Sequence, residues 1–185
     1  MPKPRILAAH DSVVLLIDMQ TGLLPAIHEG EALVGRTERL LAAARRLGVP
    51  VLATEHCVDK IGATDPRLGS LVEDVLHKVH FDATRESDTV GRLPVGRHNV
   101  LLVGTEAHVC VLQTALGLAQ AGLVPWLVAD CVGSRRESDR AAALQRWLSS
   151  GGNILSSEMA MFEWLGSADH PEFKEVLALI KGNPV

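Results

Sequence analysis

Short, continuous apolar runs recur along this chain at intervals. The run at residues 13–17 contains only valine, leucine and isoleucine, and Asp18 ends it. Such runs are typical of strands that are covered on both faces in a parallel sheet. Six strands are predicted on this basis, at residues 13–17, 49–54, 75–81, 99–103, 123–129 and 153–156. Pro125 argues mildly against its strand, because proline cannot donate a ladder hydrogen bond.

Amphipathic segments with helical spacing separate these strands. Helices are predicted at residues 32–47, 86–93, 111–121, 137–150, 158–165 and 171–181, whereas residues 55–68 form a polar, irregular segment. Gly48 and Gly122 are stop signals for two helices, and Ser134 with Glu137 fits a capping box for another. The alternation predicts one domain over residues 1–185, with a three-layer, Rossmann-like α/β fold whose six-stranded, mainly parallel sheet is flanked by helices.

Three residues with complementary chemistry lie where predicted strands end. Asp18 follows the first strand, Lys78 lies within or at the end of the third, and Cys110 follows the fourth after a short polar turn. Ligand crevices in such sheets form at the carboxyl ends of the strands, so we expect the three side chains in one cleft. If the second strand lies between the first and the third, their axes are about 10 Å apart, a gap that a lysine can largely cover.

Cysteine, aspartate and lysine together supply the groups that a nucleophilic hydrolase needs. The Cys110 thiol attacks a carbonyl carbon, Asp18 takes its proton, and Lys78 holds the charge that develops. Unpaired backbone N–H groups at the start of the following helix favour negative charge, so the thiol is expected to tend toward thiolate. The same N–H groups can bind the oxyanion of a tetrahedral intermediate.

Each of these residues also has a purely structural interpretation. Cys110 alone fits a small buried residue at a strand–helix junction, Asp18 alone fits a loop cap, and Lys78 alone can extend along apolar surface to solvent. A second functional hypothesis is a thiol-based redox or regulatory protein, since a thiolate is also the oxidisable form of cysteine. His77 and His80 lie on opposite faces of one strand, which argues against a metal pair there.

Composition and charge argue against several classes of function. Hydrophobic residues make up 47% and charged residues 22%, and the apolar runs are too short for a membrane span. The net charge is −4 without a basic block, so no nucleic-acid partner is expected. No glycine-rich phosphate loop is present and the three cysteines form no C-x-x-C pair, which favours a reduced, cytoplasmic protein without a cofactor.

Three spaced motifs resemble those of the isochorismatase-like cysteine hydrolases, in particular the isochorismatase domain-containing subgroup. They are Leu15-Leu16-Ile17-Asp18-Met19-Gln20, Lys78 before Phe81, and Gly104-Thr105-Glu106-Ala107-His108-Val109-Cys110-Val111. Further matching segments are Gln113-Thr114-Ala115-Leu116, Val128-Ala129-Asp130 with Ser134-Arg135, and Ser156-Ser157-Glu158-Met159. The resemblance extends over nearly the whole chain.

The resemblance implies a six-stranded parallel sheet and an Asp–Lys–Cys triad. By this resemblance Asp18 is the base, Lys78 the charge partner and Cys110 the nucleophile. It also implies a cis peptide between Thr105 and Glu106, which would aim the backbone N–H groups of Glu106 and Cys110 into an oxyanion hole.

Departures from the family pattern narrow the range of reactions that are expected of this chain. Nicotinamidases of this superfamily have an Asp-x-His metal site after the second strand, but Thr54-Glu55-His56 occupies that place here, so no metal is expected. True isochorismatases cleave a vinyl ether without a cysteine nucleophile, and an ether hydrolase therefore stays open as an alternative. Cys110 favours hydrolysis of a small amide or related C–N bond through a thioester intermediate.

A small-molecule substrate and a second copy of the chain are the expected partners. The walls of the substrate pocket are expected to come from the side chains of Leu23, Glu55, His56, Phe81 and His108. A homo-oligomer is expected because related proteins associate, although the apolar stripe of the last helix is more typical of an internal core.

Overall fold

Six parallel strands form the sheet of the computed structural model, which confirms the predicted three-layer α/β fold class. The structure describes residues 6–182, so residues 1–5 and 183–185 of the predicted domain lie outside the described residues. The strands are β1 (Ser12–Ile17), β2 (Val51–His56), β3 (Asp74–Lys78), β4 (Asn99–Thr105), β5 (Val124–Gly133) and β6 (Asn153–Leu155). Their order across the sheet is β3-β2-β1-β4-β5-β6, and all neighbouring strands are parallel.

Helices cover both faces of this sheet. They are α1 (Gly30–Arg46), α2 (Val58–Ile61), α3 (Pro66–Gly69), α4 (Thr89–Arg92), α5 (Leu112–Gln120), α6 (Glu137–Ser149), α7 (Ser157–Leu165) and α8 (Phe173–Ile180). Helix α1 packs with α7 and α8 on one face, whereas α5 and α6 cover the other. Across residues 6–182, no helix has both the length and the apolar character that a membrane crossing requires.

Alternating side chains of the central strand enter two different core layers. In β1, Val14 and Leu16 belong to the core beneath α1, whereas Val13, Leu15 and Ile17 belong to the core beneath α5 and α6. All five are fully buried. Burial on both faces explains why this strand has a continuous apolar run in the sequence instead of an alternating pattern.

The predicted end of the third strand is wrong by three residues. Strand β3 ends at Lys78 and not at Phe81. The carboxylate of Glu86 accepts hydrogen bonds from the backbone N–H groups of Val79 and His80, at 2.9 and 3.1 Å. These contacts turn the chain away from the sheet and place Lys78 at the carboxyl end of its strand.

The predicted capping box of α6 is also wrong. The residue before this helix is Arg136, which provides no side-chain cap. The hydroxyl of Ser134 instead lies 3.0 Å from Nδ1 of His108. Strand β5 is longer than predicted and accommodates Pro125 at its second position, close to the strand start. The segment predicted as irregular contains the short helices α2 and α3.

Strands β1 and β4 approach each other too closely for a side chain at Gly104. A Cβ atom there would lie 2.1 Å from the backbone oxygen of Ile17, and the φ angle of Gly104 is 145°. Only glycine fits this position without strain. The close approach brings the residues after the two strands together, and the hydroxyl of Thr105 donates a 2.5 Å hydrogen bond to the backbone oxygen of Asp18.

Candidate active site

Strands β2 and β3 lie on one side of β1, whereas β4, β5 and β6 lie on its other side, so the topological switch point of the sheet is between β1 and β4. In open parallel sheets, the crevice outside the carboxyl ends of such a strand pair is the usual ligand site. Asp18 directly follows β1, and Cys110 lies in a single π-helical turn, Ala107–Val111, between β4 and α5. Lys78 is the last residue of β3, which is separated from β1 by β2.

Lys78 crosses the end of β2 to form an ion pair with Asp18. The lysine Nζ lies 2.7 Å from Oδ2 of Asp18, and each side chain is 1% exposed. The same Nζ donates a hydrogen bond to the backbone oxygen of His80 at 3.2 Å, while Thr54 donates its hydroxyl to Oδ1 of Asp18 at 2.6 Å. Apart from the ion pair, Oδ2 accepts no hydrogen bond from the described residues, which leaves it a lone pair for a proton.

The thiol of Cys110 shares this environment, and the residue is 6% exposed. Burial, the largest cause, and the negative charge of Asp18 raise the pKa of Cys110 to about 12, whereas the positive charge of Lys78 acts in the opposite direction. The expected tendency toward thiolate is therefore wrong, since the helix terminus does not outweigh burial beside a carboxylate. The resting residue is a neutral thiol, which needs a base before it can attack.

Removing the charge of Asp18 is expected to lower the pKa of Cys110. In Asp18→Asn the repulsion between thiolate and carboxylate is lost, while the attraction to Lys78 remains. Ultraviolet titration of thiolate absorbance should then detect Cys110 ionisation at lower pH than in the wild-type protein. The same titration of proteins that also carry Cys110→Ala identifies the signal of this thiol. A titration at unchanged or higher pH would contradict a contribution of the Asp18 carboxylate to the raised pKa of Cys110.

The turn that precedes Cys110 differs from the one implied by the family resemblance. No peptide bond among residues 6–182 is cis, so the expected cis peptide between Thr105 and Glu106 is wrong. Glu106 instead has a left-handed backbone with a φ angle of 55°, and this residue reverses the chain after β4. Its carboxylate contacts Nε of Arg135 at 3.2 Å and Nε2 of His108 at 3.6 Å.

A cavity of about 310 Å³ includes both Asp18 and Cys110 in its wall. The lining residues are Asp18, Leu23, Ala26, His56, Ile61, Phe81, Glu106, Val109, Cys110 and Arg135. Two larger clefts, of about 350 and 420 Å³, lie elsewhere on the chain and contain no cysteine in their lining. The smaller cavity is therefore the candidate active site because of its chemistry and not its size.

Three of the five expected pocket residues, Leu23, His56 and Phe81, belong to this lining, but Glu55 does not. Successive residues of a strand face opposite sides of the sheet. His56 faces the cavity, and Glu55 therefore faces away. Its carboxylate accepts hydrogen bonds from the backbone N–H and the hydroxyl of Thr64, at 2.8 and 2.9 Å.

His108 is the other expected pocket residue that lies outside the lining. Its neighbours Val109 and Cys110 face the cavity, whereas its own ring contacts the hydroxyl of Ser134. The sequence interpretation also missed four lining residues, namely Ala26, Ile61, Val109 and Arg135. Of these, only Arg135 had a usable signal, because it follows a strand of the parallel sheet as Asp18 does.

The loop after β3 is held in place by Glu86. Its Oε1 accepts the backbone N–H groups of Val79 and His80 and lies 2.9 Å from Nδ1 of His80. These contacts, with the Val79 N–H as the largest cause, lower the pKa of Glu86 to about 2. The loop thereby fixes the His80 carbonyl that binds Lys78, and it also carries Phe81 into the cavity wall.

Residues 12–159 match the Isochorismatase domain family. The chain belongs to this family. Isochorismatase domain-containing protein 2A of Mus musculus is 35% identical over 172 residues, which cover 92% of this chain and 82% of the mouse protein.

Two solved structures share this α/β fold. A structure described as MAR1 ribonuclease from Caenorhabditis elegans has a TM-score of 0.89 and 31% identity, and the match covers 98% of this chain and 95% of that one. YcaC from Pseudomonas aeruginosa, described with hexane-2,5-diol and covalent acrylamide, has a TM-score of 0.88 and 22% identity, with 96% and 92% of the two chains covered. At that identity, the YcaC match supports the fold alone.

Proposed function

We propose that this isochorismatase-domain chain is a cysteine hydrolase of a small amide or related C–N bond, with Cys110, Asp18 and Lys78 as its catalytic triad. The proposal depends most on the buried 2.7 Å ion pair between Asp18 and Lys78 at a thiol in the cavity wall. Taking two charges out of water is costly, and such pairs beside a nucleophile are typical of active sites.

In the first half-reaction, Sγ of Cys110 attacks the carbonyl carbon while the thiol proton passes to Oδ2 of Asp18. A C–S bond forms, and the electron pair of the carbonyl π bond moves to oxygen. When the tetrahedral intermediate collapses, this electron pair returns and the C–N bond breaks. Asp18 gives its proton to the departing nitrogen, so an amine leaves and a thioester remains.

In the second half-reaction, water attacks the thioester carbon and gives one proton to Asp18. The C–S bond breaks, the proton returns to the sulfur, and a carboxylic acid is released. Lys78 keeps the carboxylate oriented through the ion pair, and its charge offsets the negative charge of the attacking sulfur. The backbone N–H groups of Glu106 and Cys110 are the proposed oxyanion donors, and both residues line the cavity.

The cavity favours a small, partly apolar substrate. Its volume of about 310 Å³ lies at the lower end of the range for ligand pockets. Apolar side chains form half of the lining, namely Leu23, Ala26, Ile61, Phe81 and Val109. This size favours a small molecule over the polynucleotide that a ribonuclease cleaves. A homo-oligomer and a cytoplasmic location stay predictions.

The raised pKa of Cys110 also bears on the alternative functions. A redox sensor needs a thiolate at neutral pH, whereas burial and Asp18 keep this thiol neutral. Catalysis does not need a resting thiolate, because Asp18 can take the proton during attack. An ether hydrolase of the isochorismatase type would not need the thiol at all.

Intact-protein mass spectrometry on a substrate panel tests the proposal. We expect that incubation with small amides, hydroxamates and ureas, followed by rapid acid quenching, traps an acyl adduct on Cys110 for at least one class. Release of the matching acid or amine should accompany it. Sulfenic acid or mixed disulfide as the sole modification would favour the redox protein, and turnover that survives Cys110→Ala would favour the ether hydrolase.

A further inference from the structure

The chain turns sharply at Asp18, directly after strand β1. The backbone of Asp18 is left-handed, with a φ angle of 50°. For a residue other than glycine this conformation costs about 1–3 kcal/mol, and it persists only where the surrounding structure holds it. The residues that hold this turn therefore control where the carboxylate of the proposed base lies.

The turn interrupts the ladder of backbone hydrogen bonds between β1 and β2. The N–H of Asp18 still donates to the backbone oxygen of Thr54, at 3.1 Å. Alternate residues of a strand pair with the same neighbour, so His56 is the next residue of β2 in line to pair with β1. The backbone oxygen of Asp18 instead accepts the hydroxyl of Thr105. The backbone of His56 therefore needs another partner.

The side-chain amide of Gln20 takes the place of the missing part of β1. Its Oε1 accepts the backbone N–H of His56 at 2.8 Å, and its Nε2 donates to the backbone oxygens of His56 and Gly62, at 3.1 and 2.6 Å. Gln20 is fully buried, and both N–H groups of its amide are used in these contacts. An apolar side chain at this position would remove all three hydrogen bonds.

The same amide joins two segments that carry apolar parts of the cavity wall. Residues 21–26 contribute Leu23 and Ala26 to the lining, and residues 57–64, which form the wall segment, contribute Ile61. Backbone hydrogen bonds of 2.9 and 3.0 Å also link the two segments. The amide thus ties the wall segment to the turn at the end of β1.

We infer that Gln20 is a positioning residue of this active site, and that its amide fixes the wall segment so that the cavity admits small groups at Cys110 and excludes bulky ones. The inference rests on the proposed function, because it concerns the cavity in which Cys110 would be acylated. A fixed wall discriminates between ligands that differ by a few carbon atoms, whereas a wall that can move aside does not. Gln20 acts through the wall segment and touches no substrate itself.

Alkylation of Cys110 by two maleimides tests the inference without a known substrate. N-methylmaleimide and N-cyclohexylmaleimide react with thiols through the same double bond and differ in bulk. The rate constant of each reagent at Cys110 is measured by peptide mapping at low conversion and divided by its rate constant with free glutathione. We expect the wild-type protein to prefer the methyl reagent by about tenfold or more on this scale.

Two variants of Gln20 and one control identify the contribution of the amide. Gln20→Met fills a similar volume without hydrogen bonds and should lose the preference. Gln20→Glu keeps the acceptor for the His56 N–H but loses both donors, and its preference should be intermediate. Asn99→Leu is the matched control, because Asn99 is a buried side-chain amide at the opposite edge of the sheet, where it contacts Trp126 and Asp11. The control should lose stability and keep the wild-type preference.

The ratio of the two rate constants distinguishes a moved wall from a generally loosened fold, which raises both rate constants alike. A wild-type protein without the preference, a folded Gln20→Met that keeps it, or an equal loss in Asn99→Leu would overturn the inference. Thermal unfolding identifies the folded variants, and Gln20→Glu decides the matter if Gln20→Met does not fold.

Hydrogen exchange of the wild-type protein, followed by NMR, provides a second measurement that needs no substitution. The backbone N–H of His56 should exchange as slowly as the N–H groups inside β2, because Oε1 of Gln20 holds it. Rapid exchange at His56 would overturn the inference even if no variant of Gln20 folds. Cys110 that reacts with neither maleimide in the wild-type protein would instead overturn the proposed nucleophile.

Discussion

Replacing Cys110 by serine is expected to lower kcat/KM for any amide substrate by about 10⁴-fold or more. The hydroxyl of serine has almost the same shape, but it is a far weaker nucleophile, and its proton is much harder for a carboxylate such as Asp18 to remove than the proton of a thiol. Steady-state kinetics on a substrate found by the panel measures the loss. The free energy of unfolding should change little, because the new hydroxyl can donate to Oδ2 of Asp18.

Cys131→Ser is the matched control for this experiment. Cys131 is buried as Cys110 is, but it lies in β5 within the core beneath α1, on the other side of the sheet from α5. The control should lose stability and keep its specific activity. Normal turnover by the Cys110 variant would exclude the thioester mechanism, and equal losses of activity in both variants would point to a general effect of buried serine.

Replacing Lys78 by methionine is expected to destabilise the fold by about 3–5 kcal/mol and to abolish turnover. The change leaves the carboxylate of Asp18 buried without its counter-ion, while methionine fills much of the same volume. Urea unfolding measures the free energy, and kinetics measures the activity. Lys60→Met is the matched control, since Lys60 is an exposed lysine of α2 and the same substitution there should be nearly neutral.

The double variant Asp18→Asn with Lys78→Met separates stability from chemistry. Removing both charges removes the desolvation penalty together with the attraction, so the double variant should be more stable than Lys78→Met alone. It should still be inactive, because neither base nor cation remains. Recovery of activity along with stability would show that the ion pair serves the fold alone.

The sequence was sufficient for the fold and for the three strand-end residues. Apolar runs identified the six strands, and the rule that crevices form at carboxyl ends placed Asp18, Lys78 and Cys110 on one edge. The order of strands β3, β2 and β1 matters most here, because it separates Lys78 from Asp18 by a distance that only a long side chain covers. Their roles in catalysis stay proposals.

The details of the cavity wall could not be predicted in the same way. The position at which β2 ends determines that His56, and not Glu55, faces the cavity. Side chains alternate between the two faces of a strand, so an error of one residue in the predicted strand selects the wrong side chain. The π-helical turn likewise determines that Val109, and not His108, lines the cavity. The pKa of Cys110 depends on burial and on the carboxylate of Asp18, which is close in the fold but far away in the sequence. The residues around Cys110 in the sequence therefore do not reveal this pKa.

The pairing of β4 with β1 has a consequence for biosynthesis. Asp18 and Lys78 precede Cys110 in the sequence and are therefore synthesised before it, and β1 can pair with β4 only after β4 has been made. In an unfolded chain the sulfur of Cys110 is open to the solvent, whereas the residue is only 6% exposed in the folded chain. Closure of the sheet therefore does two things in one step, as it assembles the reactive cavity and withdraws its sulfur from the solution.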